Sequence, residues 1–288
     1  MPFLVDKNTR ILIQGITGTQ ASFQVRRSIE YGSNIVCGVT PGKGKTEHLG
    51  VPVFDTVAEA VANTHPDASL IFVPGSSVKP AVSEALSAGI KLLVCISAGV
   101  PVNDMLEINN MLCVAKARMI GPNTPGLIVP NQTRMGIFPE NIFHSGNVGI
   151  VSRSSTLTYE AVLEVNRSGK GESAVVGLGD DMVIGMNFAD SLKLFHEDND
   201  TSAIVMIGEM GGVFEEEGAD WYKNYNKKKP IICYIAGDDQ TFNKTIGYTN
   251  DIITHGHITL EMKKKHLRQS GIIVVDKMNQ IHAALSRL

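Results

Sequence analysis

The chain has 288 residues, 43% of them hydrophobic, and its 26 basic and 29 acidic side chains leave a formal net charge of -3. A chain of this length can bury a large core, and its length favours two domains over one. The nearly balanced charge, without a basic run interleaved with aromatic residues, argues against nucleic acid and acidic membrane surfaces as partners.

The cysteines and the apolar runs indicate where the protein works. Three of the four cysteines lie inside apolar runs, none forms a C-x-x-C pair, and no cluster has metal-ligand spacing. No apolar run reaches the length of a membrane span. We therefore expect free thiols, no bound metal and a cytoplasmic location, or the mitochondrial matrix after removal of a presequence that is not visible here.

Short apolar runs alternate with helical patterns through the first 120 residues. The runs lack a period of two, which predicts strands buried on both faces of a parallel sheet. The predicted strands are 10–16, 34–39, 68–73, 92–96 and 119–120, and the predicted helices are 21–31, 57–63, 78–88 and 105–116. This alternation predicts a doubly wound α/β domain.

A segment rich in proline, glycine and asparagine then predicts a domain boundary. We expect a first domain over 1–125, a loop-rich connector over 126–146 and a second α/β domain over 147–288. Within the second domain the predicted strands are 148–151, 173–176, 203–207, 231–235 and 271–275, and the predicted helices are 158–167, 188–196, 214–224, 260–269 and 278–288.

The run V-G-I-V-S-R-S-S-T-L-T-Y-E-A at 148–161 joins a predicted strand to a predicted helix through hydroxyl residues. A helix N-terminus presents backbone N–H groups and the positive end of the helix dipole to an anion. Ser154, Ser155 and Thr156 therefore predict a phosphate or carboxylate site. The alternative is that these side chains only cap the helix.

The first predicted strand is followed by a small-residue loop, Gly15–Gln20, that resembles a dinucleotide fingerprint without its G-x-G-x-x-G spacing. The second strand leads into T-P-G-K at 40–43 rather than into an acidic residue. Because a lysine attracts a phosphorylated ribose, this predicts a phosphate-bearing nucleotide other than NAD, and coenzyme A fits well. Alternatively, Lys43 and Lys45 only lie in a solvated loop.

With the motifs further along, the sequence resembles the α subunits of succinyl-CoA synthetases, which are nucleoside-diphosphate-forming acid–CoA ligases. The resemblance extends from residue 6 to the last predicted helix. It rests on Q-G-I-T-G at 14–18, G-V-T-P-G-K-G at 38–44, M-I-G-P-N at 119–123, the run at 148–161, I-V-M-I-G-E at 204–209 and Y-I-A-G at 234–237.

This resemblance implies a Rossmann-like CoA-binding domain followed by a flavodoxin-like ligase domain. It places the organic acid near Tyr159 and makes Glu209 the carboxylate that orients a catalytic histidine. In the family reaction that histidine is phosphorylated, its phosphoryl group passes to a carboxylic acid, and the thiol of coenzyme A displaces it. The implied coenzyme A contacts are Thr17, Gly18, Thr19, Gln20, Lys43, Ile96, Ser97 and Ala98.

The resemblance also implies partners. A nucleotide-grasp β subunit would bind Mg-ATP or Mg-GTP, because nothing in this chain supplies such a domain. The expected substrate is a small dicarboxylic acid, and the expected assembly is a hetero-oligomer that serves the tricarboxylic acid cycle.

The sequence departs from the family where the phosphoryl group is carried. A gapless reading of the resemblance places Tyr248 at the position of the family's phosphohistidine. A phenol with a pKa near 10 is almost wholly protonated at pH 7, whereas an imidazole is partly neutral and nucleophilic. His257, in the H-G-H run at 255–257, is a candidate substitute, although a surface histidine is the more expected interpretation.

Other departures lie nearby. Ser155 and Asp180 replace glycines close to the expected phosphate, Thr124 replaces a cysteine, and Ala98 replaces a glutamate. The motifs implied to bind coenzyme A are kept, whereas those implied to hold the phosphoryl group are altered. Two alternatives to a ligase therefore stay open: a phosphorylation-incompetent CoA-binding paralogue with a regulatory or assembly role, and acyl or carbamoyl transfer without a phosphohistidine.

Overall fold

The structure is a computed structural model that describes residues 3–226, 229–237 and 260–288. The chain forms two compact units. The first unit comprises residues 4–140 together with 181–186, and the second comprises Phe3, residues 141–180 and the described residues from 187 onward. The domain limits drawn from the sequence stay a prediction, and no sequence pattern indicated that 181–186 would join the first unit.

A seven-stranded sheet forms the centre of the first unit. Its strands are β1 Ile11–Gln14, β2 Ile35–Val39, β3 Thr46–His48, β4 Val51–Phe54, β5 Ala68–Ile71, β6 Leu92–Cys95 and β7 Arg118–Ile120. They lie in the order β3-β4-β2-β1-β5-β6-β7, and only β3 and β4 pair antiparallel. This order confirms the predicted Rossmann-like fold.

Helices cover both faces of this sheet. They are α1 Thr19–Glu30, α2 Val57–Thr64, α3 Val78–Ser87 and α4 Val102–Ala115. Every residue of β1 is buried. Because successive strand residues point to opposite faces, the missing alternation in the sequence correctly indicated a sheet covered on both sides. Helix α4 begins three residues earlier than predicted, directly after Pro101, which sets a backbone angle compatible with a helix start.

Two hairpins were missed by the sequence analysis. Strands β3 and β4 are joined through Leu49 and Gly50, both with positive φ, in the turn geometry that two-residue hairpins prefer. The predicted connector contains β8 Gly126–Val129 and β9 Thr133–Gly136. A Cβ on Gly126 would lie 2.1 Å from the Met135 carbonyl oxygen, so this glycine permits close backbone pairing and does not mark a loop.

A buried arginine fastens this second hairpin to α1. The Arg134 side chain is fully buried, and its Nε donates to the Phe138 carbonyl oxygen at 2.6 Å. Its Nη1 donates to Ser28 Oγ at 2.8 Å and to the Gln24 carbonyl oxygen at 3.0 Å. Since a buried cation needs such partners, the contacts hold α1 against β9.

The second unit contains five parallel strands. They are β10 Ser145–Ser152, β11 Glu172–Gly177, β12 Ala203–Glu209, β13 Ile231–Ala236 and β14 Ile273–Val275, in the order β14-β13-β12-β10-β11. In doubly wound sheets this is the flavodoxin-like order, which confirms the prediction. Its helices are α5 Ser155–Arg167, α6 Phe188–Glu197, α7 Phe214–Asn224, α8 Leu260–Gln269 and α9 Ile281–Leu285.

The helix predicted over 278–288 is shorter than expected. A 3-10 turn, Met278–Gln280, precedes α9. Across the described ranges, no helix combines the length and apolarity needed to cross a membrane.

Glu172, at the start of β11, should make the stability of this unit depend on pH. Burial raises the pKa of Glu172 from 4.5 to about 7, although its Oε2 accepts the backbone N–H of His144 at 2.9 Å. Between these two pH values the folded state holds more protons than the unfolded state, so stability falls as the pH rises through the window. The full effect is roughly 3 kcal/mol.

We therefore expect Glu172→Gln to remove most of that loss, because glutamine can still accept the His144 N–H and does not ionise. Urea unfolding of both proteins at pH 5 and pH 8 measures the difference. An identical loss of stability in wild type and variant would show that Glu172 does not titrate as described.

Candidate functional site

In the first unit, four loops emerge at one edge of the sheet. Gln14, the last residue of β1, is in register with Val39 of β2 and with Ile71 of β5. Ile71 is in turn in register with Cys95, the last residue of β6. The loops after these strands therefore lie at the same carboxyl edge, where ligands of open parallel sheets bind.

The first of these loops leads into an open helix N-terminus. Gly18 is the N-cap of α1 and makes no side-chain capping bond, while Thr19 and Gln20 are exposed. Gly15 has φ +85, and a Cβ there would lie 3.1 Å from the Phe72 carbonyl oxygen. The tight turn thus brings the chain back so that the first N–H groups of α1 face this edge, as anion sites do.

Lys43 lies beside this helix start. Its Nζ donates to Thr17 Oγ1 at 3.1 Å, and Thr17 Oγ1 donates to Thr40 Oγ1 at 3.3 Å. The Lys43 loop is held by Thr46 Oγ1, which donates to the Lys43 carbonyl oxygen at 2.7 Å. An exposed ammonium group and a helix N-terminus thus converge, which is an arrangement suited to phosphate.

The loop at 96–98 is fixed by backbone contacts at the same edge. Ser97 Oγ donates to the Val73 carbonyl oxygen, and the Asn123 N–H donates to the Ser97 carbonyl oxygen at 2.9 Å. Ile96 and Ser97 are half-buried, and Ala98 is exposed. The eight residues predicted to contact coenzyme A therefore lie at one sheet edge, six of them in loops and Thr19 and Gln20 in the first turn of α1. Their contacts with a ligand stay a prediction.

Gly75 sets how closely the loops after β5 and β6 approach each other. A Cβ on Gly75 would lie 2.5 Å from the Gly99 carbonyl oxygen and 2.6 Å from that of Ala98.

We expect Gly75→Ala to displace the 96–98 loop and to weaken coenzyme A binding about tenfold, since overpacking against backbone forces a shift. Calorimetric titration measures this, with Ser76→Ala as the neighbouring control; equal affinities would contradict it.

Cys95 ends β6 just before this loop, yet its thiol is not a nucleophile. Burial raises the pKa of Cys95 to about 12. Because the thiolate is the reactive form, this cysteine stays inert at neutral pH.

In the second unit the predicted phosphoryl site also lies at strand ends. Ser152, at the end of β10, is in register with Gly177 of β11 and with Ile207 of β12. The Leu178 N–H donates to the Ser152 carbonyl oxygen at 2.8 Å. The serine-rich turn, the loop that carries Asp180 and the loop that carries Glu209 consequently share one edge.

The serine-rich turn differs in detail from the prediction. Helix α5 begins at Ser155, three residues before the predicted start, and Ser154 is its N-cap. Ser154 Oγ accepts the Leu157 N–H at 3.4 Å, so its hydroxyl has the capping role that was the alternative interpretation. Ser155 and Thr156 occupy the first turn, where backbone N–H groups have no acceptor within the helix.

Arg153 is a charged residue of this turn that the sequence analysis did not single out. Its side chain is buried, and its guanidinium carbon lies 4.6 Å from the centroid of the Phe214 ring. The backbone N–H of Arg153 donates to the Ile207 carbonyl oxygen at 3.1 Å. A permanent positive charge thus accompanies the α5 N-terminus. The arginine is visible in the run S-R-S-S at 152–155, but the interpretation of the sequence was based on the hydroxyl residues around it.

The remaining predicted residues separate into two groups. Tyr159 is half-buried in α5, Asp180 is half-buried in the loop after β11, and Glu209 is the half-buried last residue of β12. Tyr248 and His257 lie outside the described residues. Among the residues that are described, no three histidine, cysteine or acidic side chains are grouped as metal ligands would be.

Two known protein families match separate parts of this chain. The CoA binding domain family matches residues 6–99, and the CoA-ligase family matches residues 151–273. The chain is 42% identical over 285 residues to the succinate–CoA ligase [ADP-forming] subunit alpha 1 of Archaeoglobus fulgidus, covering 99% of this chain and 97% of that protein. The chain belongs to the family of succinate–CoA ligase α subunits.

Two further relatives support membership of the succinate–CoA ligase α-subunit family. The subunit alpha 2 of Archaeoglobus fulgidus is 47% identical over 271 residues, with 94% of each chain covered. The α subunit of Aquifex aeolicus is 43% identical over 290 residues, covering 100% of this chain and 95% of that protein. The resemblance inferred from the motifs is thereby confirmed.

Solved structures share the fold of this α-subunit family member. ATP citrate lyase from Methanothrix soehngenii, in complex with citrate and coenzyme A, superposes with a TM-score of 0.88 at 21% identity, covering 99% of this chain and 50% of that chain. The dinucleotide-forming acetyl-coenzyme A synthetase 1 of Ca. Korarchaeum cryptofilum, in complex with phosphate and ADP, gives 0.79 at 21% identity, covering 96% and 60%. The chain spans about half of those larger proteins.

Proposed function

We propose that this chain is the α-type subunit of a nucleoside-diphosphate-forming acid–CoA ligase. The observation that carries the proposal is the convergence of Lys43, Thr17 and the open N-terminus of α1 at one sheet edge. The donor set fits a phosphate-bearing nucleotide, because it combines an ammonium group with uncapped N–H groups. Coenzyme A bound there would supply the thiol of the reaction.

The chain's own residues would divide the work between the two units. In the first unit, Lys43 and the first turn of α1 would hold the coenzyme's phosphates, and the 96–98 loop would line the site. In the second unit, the first turn of α5 and Arg153 would stabilise negative charge on a transferred group. The acid substrate, a small dicarboxylic acid, would lie near Tyr159.

The nucleotide would come from a partner. We infer that a β subunit with a nucleotide-grasp domain binds Mg-ATP or Mg-GTP and pairs with this chain, as the relatives' designation as α subunits indicates. We also propose a role in the tricarboxylic acid cycle, in the cytoplasm or in the mitochondrial matrix after removal of a presequence.

Reconstitution tests this function. The chain is mixed with the β subunit, Mg-ATP or Mg-GTP, succinate and coenzyme A, and thioester and nucleoside diphosphate are measured together. We expect one diphosphate for each thioester formed. If no thioester forms and the chain also fails to bind coenzyme A, the proposal is contradicted.

Tyr248 favours a second candidate, the phosphorylation-incompetent CoA-binding paralogue. Tyrosine at the phosphohistidine position, with Ser155 and Asp180 in place of glycines, alters the phosphoryl site while the coenzyme A site is kept. This candidate predicts coenzyme A binding without thioester formation in the same experiment. Acyl or carbamoyl transfer without a phosphohistidine would instead show transfer from a donor in the absence of nucleotide.

A further inference from the structure

Helix α8 carries a lysine that is buried inside the second unit. The side chain of Lys263 is 1% exposed, and its Nζ lies 2.6 Å from Oε2 of the fully buried Glu215. Glu216 Oε2 lies 3.3 Å from the same ammonium group. Lys263 occupies a position between Leu260 and Leu267 on the buried face of α8, where helical spacing would otherwise call for an apolar residue.

The same ammonium group holds the loop that follows β12. Its Nζ donates to the carbonyl oxygen of Glu209, the last residue of β12, at 3.0 Å, and to two carbonyl oxygens of the loop, those of Gly211 at 3.3 Å and Gly212 at 3.2 Å. Because an ammonium group has only three donors, it is shared among these oxygens and the glutamates. The Gly211 and Gly212 carbonyl groups, which belong to no helix or strand, obtain a donor in this way.

Glu215 holds the other side of the same residue. Its Oε1 accepts the Glu209 N–H at 2.9 Å, while its Oε2 pairs with Lys263. The backbone N–H and the backbone carbonyl of Glu209 are therefore both fixed by one buried ion pair. Gly208 makes room for it, because a Cβ at that position would lie 2.5 Å from Glu215 Cγ.

A role in stability alone does not account for this arrangement. Burying an ion pair costs desolvation, and apolar side chains of similar volume often give equal or greater stability. Apolar residues could not donate to the carbonyl oxygens of Glu209, Gly211 and Gly212, nor accept the backbone N–H of Glu209. The ion pair therefore specifies the position of this loop, at the edge that also carries the α5 N-terminus.

We propose that Lys263 and Glu215 are positioning residues that hold the Glu209 loop in the geometry required for turnover. The inference rests on the proposed function and on the role that the family resemblance implies for Glu209, whose carboxylate would orient the phosphoryl-carrying group. Neither Lys263 nor Glu215 touches a reacting atom in this account. They act through the backbone of Glu209.

Three variants test the pair. Lys263→Met removes the donor, and the double variant Lys263→Met with Glu215→Leu replaces both charges by apolar groups, so that no buried carboxylate is left unpaired. Lys264→Met is the matched control, because the neighbouring Lys264 pairs with Asp276 at 3.1 Å rather than with the loop.

We expect both Lys263 variants to lower kcat at least about tenfold, because small displacements of positioning groups have large effects on rate. The KM for coenzyme A should stay within about twofold, and peptides spanning 208–213 should exchange their amide hydrogens at least about tenfold faster. Lys264→Met should match the wild type in all three measurements.

A folded double variant with wild-type kcat would overturn the proposal, as would wild-type exchange at 208–213. An equal effect of Lys264→Met would also overturn it, by showing a general loss of α8 packing. If the wild-type chain forms no thioester together with the β subunit, the proposed ligase function fails by itself. The exchange measurement then still decides whether Lys263 and Glu215 hold the loop.

Discussion

Replacing Lys43 with glutamate should weaken coenzyme A binding by about a hundredfold or more. The change removes a charge-assisted contact and places a carboxylate beside the α1 N-terminus, where a phosphate is expected. A hundredfold loss of affinity for coenzyme A corresponds to the loss of one such contact together with the added repulsion. Calorimetric titration of the isolated chain with coenzyme A measures the effect directly, and it does not depend on the β subunit.

Lys7→Glu is the matched control for this charge reversal. Lys7 is exposed and precedes β1, at the amino end of the strand and away from the loops described above. The Lys7→Glu variant should bind coenzyme A as the wild type does, which would exclude a general effect of net charge. The affinity lost in Lys43→Glu should also shrink at high salt, because exposed charges are screened. Unchanged affinity in Lys43→Glu would contradict the proposed site.

The second large effect concerns Tyr248. Replacing it with histidine should raise acid-labile phosphate at this position at least about a hundredfold when the β subunit and Mg-ATP are present. At pH 7 only about one phenol in a thousand is ionised, whereas most imidazole groups with a pKa near 6.5 are neutral and nucleophilic. Intact-mass measurement before and after mild acid, followed by peptide mapping, locates the group.

Tyr225→His is the control for this substitution, because it introduces the same side chain elsewhere in the second unit. Tyr225 stacks on Trp221 at the end of α7, with ring centroids 4.8 Å apart, and its replacement should add no acid-labile phosphate. Failure of the Tyr248→His chain to gain acid-labile phosphate would contradict the placement of residue 248 at the phosphohistidine position.

Most of the architecture could be predicted because it follows from burial. The strands of both sheets are covered on two faces, so they appear as continuous apolar runs. The two hairpins did not follow this rule. The β3–β4 pair is short and contains exposed residues such as Glu47. In β8 and β9, Gly126 and Gly136 permit close pairing, yet in a sequence glycine is also the residue of loops.

The candidate coenzyme A site was predictable in outline because small residues follow the strands at a single edge. Its geometry was not, since the Lys43–Thr17 contact joins residues that are 26 positions apart. Lys263 was missed for a different reason. It lies in a run of three lysines, which usually indicates a solvated helix face, and only the packing of α8 shows that Lys263 and Lys264 are buried.

The most direct measurement is a crystal structure of the chain soaked with coenzyme A. The account predicts phosphate oxygens of the coenzyme within hydrogen-bonding distance of the first N–H groups of α1 and of Lys43 Nζ. Coenzyme bound at any other surface, with the N-terminus of α1 left to solvent, would contradict the central claim.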